Sequence, residues 1–192
     1  MAKGLSAESI TVAAAELIEQ YGRSGFSMRL LADTMGVKTA SLYNHIENMD
    51  TLLTEVCRYA LRMQGDGELR AIAGKTGREA IWALAWAYRR FAQQHRELYW
   101  LVMDTAAGEP RVLDDAAARF TEPLKQVLSG FRLPPWEEIH FRRMFRAIVH
   151  GFASQEDEGF FSHYPASTEL SFEFAIQRFI DCVLEAEKRN PS

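Results

Sequence analysis

Gly36 is the residue that most limits what this chain can become. It stands between two apolar-faced segments, Ser27 to Met35 and Lys38 to Ile46, where a short helix has to end in a left-handed residue that any Cβ disfavours. Ser27 offers the first segment a hydroxyl N-cap, and Phe26 before it is placed to staple against Leu31. Leu30, Leu31 and Met35 give that segment one apolar face, and Ala32 is small enough to let a second helix cross close by. Beyond the turn, Leu42 and Ile46 are four apart and point inward, leaving Thr39, Ala40, Ser41, Tyr43 and Asn44 on or beside the outer face. The chain therefore stops, turns and restarts within a few residues. The face it presents is short, polar and of a size to meet base edges in a DNA major groove.

Helical periodicity continues on both sides of this pair. Ile10, Ala13, Ala14, Leu17, Ile18 and Tyr21 recur at three- and four-residue steps after a capping Ser6, and Gly22 to Gly25 end that first helix. Asn48 caps a helix over 49–63 that carries Leu52, Leu53, Val56, Cys57, Tyr59, Ala60 and Leu61 inward. Gln64 to Gly77, with four glycines, is the expected boundary between two halves, holding at most a helical turn around Glu68 to Ala73. Residues 78–95 read as a central helix, because Ile81, Trp82, Leu84, Ala85, Trp86, Tyr88 and Phe91 wrap much of its circumference. A short apolar helix over 98–103 follows a break near Gln94 to Arg96. Gly108-Glu109-Pro110 breaks the pattern again before a helix over 112–131, interrupted or bent at Pro123, with Phe120, Leu124, Val127 and Leu128 inward. Pro135, with Glu137 and Glu138 in the first turn, starts a helix to about Ser154, and a last helix runs from Ser167 or Thr168 to Lys188 after a loop over 155–167. No segment alternates with period two, so the expected fold class is all-α with about nine helices.

Charge narrows the chemistry. The formal net charge is -4, and residues 1–50 hold Lys3, Arg23, Arg29 and Lys38 against Glu8, Glu16, Glu19, Asp33, Glu47 and Asp50. A chain that wraps nucleic acid without sequence preference is usually basic, so recognition here has to rest on a small local face present in two copies. No apolar run is long enough to cross a bilayer and MAKGLSAES lacks the apolar segment of a signal peptide, so a cytoplasmic protein without a membrane partner is expected. Cys57 and Cys182 lie far apart without CxxC or His spacing, and read as reduced thiols. There is no nucleophile elbow, phosphate loop or HExxH. His140, His150 and His163 with Glu156, Asp157 and Glu158 lack a spacing that fixes coordination, so no catalytic residue, metal or cofactor is expected. An all-helical protein-binding adaptor is the competing class. It accounts for the apolar residues on more than one side of the last two helices, but not for Ser27, Arg29, Gly36 and the Leu42-Tyr43 pair together.

MGVKTASLYNHI followed by ENMDTLL resembles the DNA-binding signature of the tetracycline-repressor (TetR) family, in which a Gly-Val turn and a Leu-Tyr pair recur. The resemblance covers about the first quarter of the chain. It implies a sequence-specific transcriptional regulator, a ligand-responsive repressor that binds a palindromic double-stranded operator as a homodimer. Residues 1–48 would be the helix-turn-helix domain and 49–192 an effector-binding and dimerisation domain, with helix 49–63 as connector. DNA contacts would come from Ser27, Arg29, Lys38, Thr39, Ala40, Ser41, Tyr43, Asn44 and His45. Among these, Arg29 resembles a position that approaches guanine at the groove edge, and Tyr43 is placed to donate to phosphate. Met49 departs from the family's frequent lysine, so one phosphate contact is missing. An effector pocket would draw on Trp86, Phe91, Trp100, Met103, Phe120, Phe145 and His150 and take a small apolar or aromatic molecule. The segment 82–151 with His150-Gly151-Phe152 is similar to a subclass that ends its eighth helix in a Trp-His-Gly type motif, with Val149 where the aromatic stands. The last two helices would form a four-helix bundle across a two-fold axis.

Overall fold

A computed structural model describes residues 5–108 and 114–190, and among them the chain forms nine α-helices, one 3-10 turn and no strand. The expected break at Gly108-Glu109-Pro110 falls largely outside the described residues. The chain divides by compactness into two units, Met1–Met63 with His95–Phe120, and Gln64–Gln94 with Thr121–Ser192. This packing division is not the expected one at 48/49, because residues 49–63 and helix 96–108 group with the N-terminal helices.

In the first unit, α1 (Ala7–Gly25) opens on a reciprocal capping box in which Ser6 and Ser9 each accept the other's backbone N–H. Gly22, at φ 71 and ψ 166, breaks its helical path, so the expected stop is there although a further turn follows. Ile10, Ala14, Leu17 and Ile18 are buried, but Tyr21 is 50% exposed and not inward as its spacing suggested. The stripe drifts around a straight helix, and Tyr21 is its last member before the break. Next come α2 (Met28–Met35), α3 (Thr39–Leu42) and α4 (Met49–Ile72). Asn48 caps α4 by accepting the Thr51 N–H at 2.9 Å. In α4, Leu52, Val56 and Cys57 are fully buried, and Tyr59 is half-buried. The helix α6 (Arg96–Gly108), longer than the expected 98–103, packs on α1. The Glu19 carboxylate accepts the Leu98 N–H at 3.4 Å and lies 3.6 Å from His95 Nδ1. Burial raises the Glu19 carboxyl above its ordinary range, with the Leu98 N–H and His95 working against that rise. Cys57 Sγ meets Thr105 Oγ1 at 3.2 Å, and burial likewise pushes its thiol up, away from the reactive thiolate.

In the second unit, the stretch expected as a boundary is helical. α4 continues through Gly65 and Gly67 to Ile72 despite the glycines' weak propensity, with Gln64, Glu68 and Ile72 facing the interior. α5 (Gly77–Gln94) buries Ile81, Leu84, Ala85, Tyr88 and Phe91, while Trp82 and Trp86 are only half-buried. α7 (Asp114–Leu128), which belongs to the first unit up to Phe120 and to the second from Thr121, runs uninterrupted through Pro123, burying Leu124, Val127 and Leu128, with Phe120 half-buried. α8 (Pro135–Asp157) has Pro135 at its first position with Glu137 and Glu138 in the first turn, as expected, and ends three residues later than expected. The following loop contains a 3-10 turn, Phe160–His163. Ser167 caps α9 (Thr168–Arg189), whose Phe172, Ile176, Phe179, Ile180 and Val183 are fully buried. Leu170 and Phe174, apolar residues on other sides of the same helix, are 64% and 66% exposed.

Arg89 ties this unit together. It is buried on α5 and grips Glu156 of α8 through Nε to both carboxylate oxygens at 3.1 Å and Nη2 to Oε1 at 2.6 Å. Its guanidinium also lies over the rings of Trp86 at 5.2 Å and of Phe172 on α9 at 4.9 Å. Three helices thus meet at one charge, which is paired and stacked as a buried cation must be.

Candidate nucleic-acid interface

Ser27 accepts the Leu30 N–H at 3.1 Å and starts α2, whose buried residues are Met28, Leu31 and Ala32. Leu30 and Met35 are half-buried, so the inner face is turned from the expected one toward Met28. Gly36 ends the helix at φ 67 and ψ 30, and the Val37 N–H reaches back to the Ala32 carbonyl at 3.0 Å. No atom lies within 4 Å of where a Cβ would stand on Gly36, so the left-handed backbone alone selects glycine there.

The second helix is shorter than its motif. α3 has only four helical residues, Thr39–Leu42, and then Tyr43 to His45 continue as a turn. The His45 N–H bonds the Leu42 carbonyl at 2.9 Å and the Ile46 N–H bonds it at 3.1 Å, which holds that turn against the core. Leu42 and Ile46 are buried, as their spacing required. The remaining side chains form one outward surface, with Lys38, Ala40, Tyr43, Asn44 and His45 exposed and Thr39 and Ser41 half-buried. Tyr43 is an exposed large aromatic at 49%, which packing on this unit does not explain. Arg29 is almost entirely in solvent and 3.8 Å from the exposed Asp33, a pair too solvated to hold it. All nine expected contact residues therefore lie in one short stretch, six on the second element and its turn, Lys38 just before it, and Ser27 and Arg29 at the head of α2. Ser27 is already committed to its own helix as a cap.

The seven expected effector residues do not share one unit. Trp86, Phe91, Phe145 and His150 belong to the second, and Trp100, Met103 and Phe120 to the first. Trp86 packs edge-on against Phe172 at 5.3 Å and Phe145 against Phe179 at 5.4 Å, so these two serve the aromatic core. Trp100 packs against Tyr99 at 5.5 Å. Two polar residues that the pattern of aromatics did not reveal, Gln64 and Glu68, are buried on α4 and joined by a 2.9 Å hydrogen bond. Burial pushes the Glu68 carboxyl up to about 8, against the pull of the Gln64 amide and of Arg146. Among the described residues no three metal-ligating side chains cluster, and no helix is long and apolar enough to cross a membrane.

Two short helices crossing at a left-handed glycine, with a small polar face outward and the rest of the chain helical, define a helix-turn-helix DNA-binding protein. Residues 10–56 match the family described as bacterial regulatory proteins, tetR family, and residues 81–179 match the tetracyclin repressor-like C-terminal domain. The chain belongs to the TetR family of transcriptional regulators. It is 28% identical to the HTH-type transcriptional regulator YobS of Bacillus subtilis, over 94% of both chains. It is 31% identical to the class D tetracycline repressor protein of Escherichia coli over 48% of this chain and 42% of that one. Among solved structures, the regulatory protein SCO4313 has a TM-score of 0.74 and 25% identity, covering 91% of this chain and 95% of its own. A tetracycline-repressor variant of Acinetobacter baumannii, in complex with minocycline, shares the fold at TM-score 0.68 and 19% identity over 98% and 99% of the two chains.

Proposed function

We propose that this regulator is a repressor that binds a palindromic operator as a homodimer and is released by a small, mainly apolar effector. The observation that carries the DNA side is the outward cluster of Lys38, Ala40, Tyr43, Asn44 and His45 next to the solvated Arg29. In this reading Arg29 contacts guanine, Tyr43 and His45 reach phosphate, and Lys38, Thr39, Ala40, Ser41 and Asn44 divide between bases and backbone. Ser27 is both a cap and a groove-edge group.

The dimer is supported by the outer faces of the last two long helices. Trp136, Ile139 and Met144 on α8 and Leu170 and Phe174 on α9 are large apolar side chains left in water. A two-fold pairing would cover them and set two reading heads about one DNA turn apart, roughly 34 to 36 Å. Residues 1–48 are the reading domain and 49–192 the effector and dimerisation domain of a protein working in the cytoplasm. The effector acts on α4, a single helix from Met49 to Ile72, so a shift at its far end moves the segment that Asn48 caps and changes the spacing of the heads. Minocycline bound by the Acinetobacter relative supports a small-molecule effector.

Selection of bound duplexes from a random DNA pool, then anisotropy titration of the selected duplex at several salt concentrations, tests the reading. A palindromic duplex bound by a dimer, and weakened by both Tyr43→Ala and Arg29→Ala, is expected. If no sequence is enriched and both variants behave as the parent, the protein-binding adaptor takes its place.

A further inference from the structure

The five residues Gln64 to Glu68 break local rules together. Gly65 and Gly67 are poor residues for the interior of a helix, and Gln64 and Glu68 are polar yet only 3% and 4% exposed. Such conflicts concentrate where a chain trades stability for function. Gln64 Nε2 donates to Glu68 Oε1 at 2.9 Å, and among the described residues neither side chain makes another hydrogen bond. Among the described residues no cation comes within ion-pairing distance of Glu68. Arg146 of α8 is the charge that acts on it, from further away.

Among the described residues Gln64 Oε1 and Glu68 Oε2 thus have no partner. Yet no fully occluded side-chain nitrogen or oxygen among the described residues lacks one. The two oxygens therefore each keep some accessible surface, within residues only 3% and 4% exposed. They sit one helical turn apart on the same face. Once Glu68 is ionised both oxygens are acceptors, and two acceptors in low-dielectric surroundings are best satisfied by a donor that brings positive charge, because a charge-assisted bond there is stronger than a neutral one.

We infer that Gln64 and Glu68 are the head-group site for an organic cation, a protonated amine on an apolar body, which donates to both oxygens. The inference rests on the effector reading above and gives that effector its chemical class. In the free protein burial keeps Glu68 protonated at neutral pH. When the ammonium arrives the carboxyl O–H breaks, its proton leaves to solvent, and carboxylate and ammonium remain as an ion pair. One proton is released per ligand bound. Arg146 eases the change by favouring the carboxylate from a distance.

Dodecylamine, dodecanol and dodecanoate share one chain and differ in the head, so they separate the charge from the apolar body. Calorimetric titration of the full-length protein at pH 7, in two buffers of different ionisation enthalpy, counts protons as well as affinity. The amine is expected to bind at least about tenfold more tightly than the alcohol, with close to one proton released. Glu68→Gln, which keeps the bond from Gln64, is expected to bring the amine down to the alcohol and abolish the release. The proton count on the parent decides the matter even without a variant. A preference for dodecanoate, no binding of any of the three, or amine binding and proton release unchanged in Glu68→Gln would overturn the inference. If the amine binds as expected but operator affinity does not fall, the cation site stands and the effector reading falls. If alcohol and carboxylate release operator equally from parent and Glu68→Gln, the effector reading stands and the cation site falls.

Discussion

Glu68 keeps its proton because burial on α4 penalises the carboxylate, so its folded-state value is about 8 against an ordinary 4.5. Between those two values the unfolded chain has lost the proton and the folded chain still holds it. Stability must therefore fall as pH rises from about 4.5 through about 8, with the full contribution present only below that window. The whole effect is on the order of 3 to 5 kcal/mol. Glu68→Gln cannot ionise, and thermal unfolding followed by circular dichroism should find it more stable than the parent at pH 8 and the advantage shrinking toward pH 5. An advantage independent of pH would mean that the carboxyl is ionised in the folded protein. Gly36 makes a second prediction at this scale. With φ 67 and no atom near the missing Cβ, Gly36→Ala meets only the left-handed backbone and should lose about 1 kcal/mol, whereas Gly36→Asn, which tolerates that region, should lose less. Equal losses would point to a cause other than backbone strain.

Among the elements, α5, α8 and α9 converge on Arg89, and the pair it makes with Glu156 is largely withdrawn from water. Removing one partner strands the other. Arg89→Leu alone should cost about 3 kcal/mol in urea unfolding, while Arg89→Leu with Glu156→Leu should recover most of it. If the double variant is as unstable as the single one, the pair's shape and stacking matter more than its charge. Helix starts were legible in the sequence because they are local: Ser6, Ser27, Asn48 and Ser167 cap where their hydroxyl or amide spacing says they must, and Pro135 opens α8. The continuation of α4 past Gly65 was not legible, since its glycines read as a break and the inward placement of Gln64, Glu68 and Ile72 is a tertiary fact. Arg89 was hidden for the same reason, as an arginine in a helix reads as solvated until aromatic neighbours from other elements are known. The outward face of the reading head could be read from the inward Leu42 and Ile46. The aromatic effector residues could not be sorted this way, because packing and ligand contact use the same residue types at the same spacing.

For the whole molecule, the apolar stripes of α8 and α9 and the weak charge of the reading head are two sides of one requirement. Residues 1–50 carry a net negative charge, so one head gains little from phosphate attraction and tight binding has to come from two heads held at a fixed spacing. Phe174 is 66% exposed and its ring lies 5.6 Å from the Arg178 guanidinium, so Phe174→Glu takes nothing from the monomer's core and gives Arg178 a carboxylate. The variant should keep the parent's circular dichroism and melting behaviour at low concentration, sediment as a monomer, and bind the selected duplex about 100-fold more weakly. Tyr43→Ala should do the converse, losing DNA affinity while sedimenting as the parent does. A Phe174→Glu protein that is still dimeric would move the interface off this face of α9. One that is monomeric yet binds as tightly as the parent would mean that a single head suffices, and the spacing of two heads could then not be what an effector controls.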